Sequence, residues 1–205
     1  MIILHHLRVG RSIFAVWLLE ELGLEYELKV YHRHPETRRA PPELTRPHPL
    51  GKSPVIEDGD ITLAESGAIT AYLIETYTKP GAFAPKVGDK AARAQYLQWL
   101  HYPEGSAFMP IFVTQLSKRP GAAQDFIAQF MADEAKKQLD YMSAELGSKR
   151  YILGDELTGA DFGLGFIVSM AASSGMTEPY PNLTAYAARI RERPAFKRAL
   201  ERGVE

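Results

Sequence analysis

Cysteine is absent from all 205 residues. That excludes a disulfide framework, a Cys-x-x-Cys redox pair, a thiolate zinc site and any enzyme whose own nucleophile is a thiol. It leaves open thiol chemistry on a bound small molecule. Charge of one sign is missing too: 24 Lys and Arg against 25 Asp and Glu leave a formal net charge of −1. So even a balance argues against a broad basic face for nucleic acid and against a polybasic membrane anchor. No apolar run approaches the ~18 residues that a membrane span needs. The opening MIILHHLRVGRS has only three consecutive strongly apolar residues before His5 and His6, too few for a signal segment. The expectation is a cytoplasmic chain with no metal site, no membrane partner and no nucleic-acid partner.

At about 150 residues per domain, the length allows one or two domains. The first third alternates strand and helix signals. Ile2, Ile3 and Leu4 form a short β-branched run. Gly10 breaks it, Ser12 stands where a helix N-cap belongs, and Ile13, Phe14, Trp17, Leu18 and Leu22 recur at helical spacing up to Gly23. Tyr26, Leu28 and Val30 then alternate with polar neighbours as a second strand, giving β-α-β with a right-handed crossover. Residues 32–53 read as an irregular loop holding five prolines and a cluster of His and Arg. SPVIEDGDITL follows as a hairpin turning at Asp58-Gly59, and ESGAITAYLIETY as a helix.

The order β-α-β, loop, β-β-α over residues 1–78 is that of a thioredoxin-like domain. Residues 79–89 form a Pro- and Gly-bearing linker. Residues 90–205 read as an all-helical bundle. A long helix over 90–116 is expected to bend at Pro103 and Pro110, and a second spans 124–146. Leu157-Thr158-Gly159-Ala160-Asp161-Phe162 is a strong helix start with a capping box and staple, and two short helices close the chain.

Two segments of the first domain carry chemistry. Pro54, after Gly51-Lys52-Ser53 and directly before a strand, suits a cis peptide that turns the Val55 backbone outward to pair with an extended peptide ligand; a plain trans-Pro loop is the alternative. Glu65-Ser66-Gly67 opens a helix, and a hydroxyl with first-turn N–H groups suits a carboxylate while Glu65 suits an ammonium. Together these match the two ends of an amino acid.

The run HPLGKSPVIEDGDITLAESGAI (48–69) resembles the glutathione-binding half of the cytosolic glutathione transferases. LHHLRVGRSIFAVWLLEELGLEYE (4–27) is similar to the family's first strand and helix. RAPPELTRPHPLGKSP (39–54) resembles a bacterial and fungal branch, and YLQWLHYPEGSAFMP (96–110) with LTGADF (157–162) fit its helical half. The resemblance spans essentially the whole chain. It implies the glutathione transferase fold, a thioredoxin-like domain followed by a helical bundle, and glutathione as co-substrate.

Carried over position by position, Glu65 and Ser66 would hold the γ-glutamyl amine and carboxylate. Val55 after Pro54 would clamp the cysteinyl unit, Lys52 and Ser53 would line the same loop, and Arg39 would lie near the glycyl carboxylate. The thiol would be activated by a hydroxyl at the start of the first helix. The bacterial branch reads Ser-Arg-Ser there, whereas this chain reads Gly10-Arg11-Ser12. Ser12 as a hydroxyl donor and Arg11 as a source of positive potential are the two replacements, and His5 and His6 at the strand end are further candidates, with a structural role as their alternative. Tyr102, Phe108, Met109 and Phe112 are expected to line an electrophile pocket between the domains. The resemblance thus implies a homodimeric detoxification enzyme that conjugates the glutathione thiolate to small hydrophobic electrophiles. The alternatives are glutathione-dependent peroxide reduction and a non-catalytic glutathione-binding or interaction module.

Overall fold

The computed structural model describes residues 1–122 and 125–204. The chain forms two compact units, residues 1–82 with 191–205 and residues 83–190. In the first, β1 (Ile2–Leu7), α1 (Ile13–Leu22) and β2 (Tyr26–Tyr31) are followed by a short 3-10 turn at Pro42–Thr45, β3 (Val55–Asp58), β4 (Ile61–Ala64) and α2 (Ser66–Tyr77). The sheet order is β2-β1-β3-β4. β1 runs parallel to β2, as the β-α-β crossover requires, and antiparallel to β3. β3 and β4 pair from Val55↔Ala64 to Asp58↔Ile61, so the two-residue turn is Gly59-Asp60, one residue beyond the predicted Asp58-Gly59. Gly59 takes a φ of 60°, which the turn needs and glycine adopts without strain. Gly23 ends α1 in the left-handed conformation, as expected.

α1 buries seven consecutive residues, Ile13 to Leu19. A helix apolar on every side needs cover on every side. One face lies on β1, and α8 (Pro194–Gly203) packs along another. The edge of Trp17 meets the Phe196 ring at 5.4 Å between centroids. Arg193 pairs with Glu21, and Arg198 and Arg202 donate to Glu20 at 2.9 and 2.8 Å. Burial raises the Glu20 carboxyl, but hydrogen bonds from Arg198, Tyr26 and Arg202 outweigh it and hold the group below the usual carboxylate range. The C-terminal segment therefore clusters with the first unit, although it follows the helical run in sequence.

The second unit is helical among its described residues. It holds α3 (Lys90–Tyr102), a π turn at Pro103–Ala107, α4 (Phe108–Ser117), α5 (Phe126–Leu146), α6 (Gly159–Ser173) and most of α7 (Pro181–Arg191). Pro103 has no N–H to continue the ladder, and the backbone adjusts through the π turn. Pro110 lies in the first turn of α4, where a missing N–H costs nothing, so it introduces no second break. The Asp89 carboxylate accepts from the Ala92 N–H and caps α3, and Asp125 does the same for α5 through Ala128. The predicted start of that helix at Gln124 lies outside the described residues. Its inward stripe begins at Ala128 and continues through Ala135, Leu139, Met142 and Leu146, while Ile127 is exposed.

The capping box at the start of α6 is formed as expected. Asp161 has no exposed surface. Its Oδ2 accepts from the Thr158 N–H and hydroxyl, and its Oδ1 from the Ile152 N–H and the Tyr186 hydroxyl. Burial pushes this carboxyl up, against the pull of those donors.

Candidate functional site

β3 starts from a cis Ser53–Pro54 peptide, as the sequence suggested. The Ser53 hydroxyl donates to the His5 carbonyl at 2.7 Å and accepts the Leu7 N–H at 3.0 Å, which ties this loop to the end of β1. Val55 behaves otherwise than expected. It is wholly buried, with His5 beside it on one strand and Ala64 on the other. A residue with no accessible surface cannot pair with a ligand, so the outward clamp does not fall on Val55. Ser53, on the other side of the cis bond, keeps partial exposure. Lys52 is exposed beside it, and Arg39 is exposed in the preceding loop.

Glu65 precedes the first residue of α2 with φ 72° and ψ 122°. A non-glycine residue in that region costs about 1–3 kcal/mol and persists only where its surroundings impose it. The Glu65 carbonyl still accepts the Ile69 N–H at 2.9 Å, so the helix ladder begins directly after the strained residue. Glu65 is exposed, whereas Ser66 is only 8% exposed at the first position of the helix. First-turn N–H groups of a helix have no intrahelical partner. Glu65, Ser66 and these amides thus stand together at one helix end.

The start of α1 corrects the reading of Ser12. Its backbone is already helical and its side chain makes no cap. Instead the hydroxyl reaches back to β1, accepting the Leu7 N–H at 3.1 Å and lying 2.9 Å from His6 Nδ1. His6 Nε2 faces the Gly203 carbonyl at 3.2 Å and so donates to it. The Ser12 hydroxyl also donates toward the Leu7 carbonyl at 3.3 Å. At 1% exposure, Ser12 is a brace between β1, α1 and the chain end rather than a donor to a ligand. The local capping pattern hid this role, because its partners lie in the preceding strand.

His5 is likewise committed. Its Nδ1 lies 2.9 Å from the Tyr31 hydroxyl and its Nε2 2.6 Å from Glu57 Oε1, at 3% exposure. Arg11 remains partly exposed at the start of α1.

Gly10 sits where the side chain of the resembling branch is absent. A Cβ there would stand 2.8 Å from the Leu7 carbonyl oxygen, closer than real Cβ atoms approach backbone. A serine therefore cannot simply be restored. We expect Gly10→Ser to lower the unfolding free energy by about 1–3 kcal/mol, as overpacking does. Denaturant unfolding measures this, and an unchanged midpoint would show that the turn relaxes freely.

The four apolar residues expected around an electrophile divide into separate groups. Phe108 and Phe112 stack at 5.1 Å with 13° between their planes. Met109 is 52% exposed. Tyr102 is engaged elsewhere: its hydroxyl donates to Gln138 Oε1 at 2.6 Å, and its ring meets Trp99 and Tyr141 edge-on. Burial raises the Tyr102 phenol well above its ordinary range, so it stays protonated.

Comparison with known proteins identifies the family. Residues 1–75 match the glutathione S-transferase N-terminal domain, and residues 107–203 match the C-terminal domain. The chain is 33% identical over 218 residues to glutathione S-transferase 3 of Schizosaccharomyces pombe, covering 98% of this chain and 88% of that protein. Among solved structures, a glutathione S-transferase from Actinobacillus pleuropneumoniae is 37% identical with a TM-score of 0.88, covering 100% of this chain and 93% of that one. A glutathione transferase family member from Pseudomonas fluorescens, solved with two glutathione bound, is 26% identical with a TM-score of 0.83, covering 98% and 92%. With a mixed four-stranded sheet, a following helical unit and both family domains matched, the chain belongs to the glutathione S-transferase family.

Proposed function

We propose that this protein binds glutathione and adds its thiolate to small hydrophobic electrophiles. The observation that carries the reading is the start of α2, where the strained Glu65 backbone brings a carboxylate and the Ser66 hydroxyl to the same helix end. There Ser66 and the first-turn amides take the γ-glutamyl carboxylate, and Glu65 takes the amine. Ser53 meets the cysteinyl unit, with buried Val55 supporting it from within the sheet. Lys52 and Arg39 attract the glycyl carboxylate. The electrophile is received at Phe108, Phe112 and Met109.

A free thiol titrates near ~8.5 and is only slightly ionised at neutral pH. The positive end of α1 and the Arg11 guanidinium favour the charged form. The thiol proton leaves to solvent. A sulfur lone pair then forms the carbon–sulfur bond, and the leaving group departs with its bonding electrons. A cytoplasmic homodimer acting in detoxification completes the reading. Exposed Leu50, Ile61 and Leu97 support self-association as apolar surface without a partner in the single chain. No described helix is long and apolar enough to cross a membrane.

Gly10 and the committed Ser12 hydroxyl favour one rival, a glutathione-binding module without turnover. An ultraviolet titration of the bound thiolate separates the two. The transferase reading expects the bound thiol to titrate at least about one unit below its free value, together with conjugation of a halogenated nitroarene. Saturable binding with no downward shift and no conjugate would establish the module instead.

A further inference from the structure

A cleft of about 380 Å³ opens in the helical unit, and none of the residues assigned to glutathione or to the electrophile lines it. That volume lies at the small end of the roughly 300–1,000 Å³ that small-molecule sites occupy. α4 contributes Thr114, α5 contributes Ala135 and Leu139, and the turn after α6 contributes Met176. Exposed Lys136 and Asp140 and half-buried Tyr180 belong to the same lining. The Asp140 carboxylate accepts from the Lys136 ammonium at 2.8 Å and from the Tyr180 hydroxyl at 2.7 Å. The two charges cancel, so this edge favours neither sign of ligand. Thr114 is the member that stands out. A threonine or serine inside a helix can spend its hydroxyl on a carbonyl one turn earlier. Thr70 and Ser117 do so, donating to the Ser66 and Val113 carbonyls at 2.9 and 3.0 Å. Thr114 is only 9% exposed, yet among the described residues its hydroxyl has no hydrogen-bond partner. A buried hydroxyl left unsatisfied is costly to the fold.

We propose that this cleft binds a small neutral phenol, its ring against Leu139 and Met176 and its hydroxyl paired with Thr114. The proposal goes beyond the transferase reading and does not depend on it. Ala135, Leu139 and Met176 offer an apolar wall, and a thioether makes favourable contact with an aromatic ring. A threonine hydroxyl both donates and accepts, as a phenol does, so each satisfies the other. A hydrocarbon of the same shape would leave Thr114 unpaired, which is the basis of selectivity. A charged ligand would gain nothing from an edge whose ions already pair. The Thr114 oxygen is closed from solvent, so the ligand reaches it by shifting Met176, whose unbranched side chain adapts readily.

The test uses the full-length protein and two fluorescent probes, α-naphthol and naphthalene, titrated without glutathione. α-Naphthol is expected to bind saturably. Thr114→Val keeps the side-chain shape and removes the hydroxyl. It should weaken α-naphthol about five- to tenfold through one lost hydrogen bond. It should leave naphthalene within about twofold of the parent, because burial of the rings is unchanged. Thr114→Ser keeps the hydroxyl and should hold α-naphthol within about threefold of the parent. Ala132→Phe places a ring in the same lining and should abolish binding of both probes. Thr114→Val should also unfold at or above the parent temperature, since it removes an unsatisfied group. A lower unfolding temperature would mean that the hydroxyl is already satisfied, and it would overturn the proposal. So would a lack of saturable α-naphthol binding, or an equal effect of Thr114→Val on both probes. α-Naphthol binding that survives Ala132→Phe would place the probe elsewhere on the molecule, and that too overturns the proposal.

Discussion

Replacing Asp161 with alanine is expected to lower the unfolding free energy by about 3–5 kcal/mol, as the loss of one partner from a buried hydrogen-bonded network does. The carboxylate accepts four hydrogen bonds with no access to solvent. Its removal strands the Ile152 N–H, the Thr158 N–H and the Tyr186 hydroxyl at once. Each unsatisfied buried donor costs about 1–3 kcal/mol. The stranded donors also come from three places: the turn before α6, the first residue of its cap, and α7. Asp161→Asn is not a safe control, because one face of the amide would turn its own hydrogens toward two donors. Thermal unfolding should show a fall of roughly 6–20 °C for a chain of this size. A fall of less than a few degrees would mean that water replaces the carboxylate, contrary to the closed surroundings seen here.

The second large effect concerns binding. Ser66→Ala is expected to weaken glutathione affinity by about 1–3 kcal/mol, roughly 5- to 150-fold, through loss of a hydrogen bond to a charged carboxylate. The effect should lie in affinity and leave the titration of bound thiol near that of the parent, since Ser66 is assigned to the far end of the tripeptide from the sulfur. Ser66 is buried at the first position of α2, and the removed atom is a single hydroxyl, so the fold should persist. Calorimetry and retention on immobilised glutathione both read the outcome. Unchanged retention would count against the assignment of this helix end to the ligand.

What could be read from the sequence was whatever depends on neighbours within a few residues. The Gly23 stop, the hairpin around Gly59, the cis step at Pro54 and the capping box from Thr158 to Asp161 all follow from local backbone chemistry. The order of elements then dictates a parallel β1–β2 pair with two antiparallel additions. What could not be read depends on partners distant along the chain. Ser12 has the spacing of a cap, yet its hydroxyl is engaged with Leu7 and His6, whose ring is in turn held by the carbonyl of Gly203. Tyr102 has the residue type of a ligand contact, yet Gln138 claims its hydroxyl. Val55 has the right neighbour in Pro54, but a position between two strands leaves it no surface.

The packing of α8 on α1 also bears on how the molecule is made. Residues 83–190 are contiguous, so that unit has all its contacts available as soon as it leaves the ribosome. The unit that carries the sheet is not contiguous: it lacks a wall until residues 191–205 have been made. During synthesis, the apolar flank around Trp17 must wait through more than half of translation for Phe196 to arrive. Closure of the half assigned to glutathione therefore waits for residues 191–205.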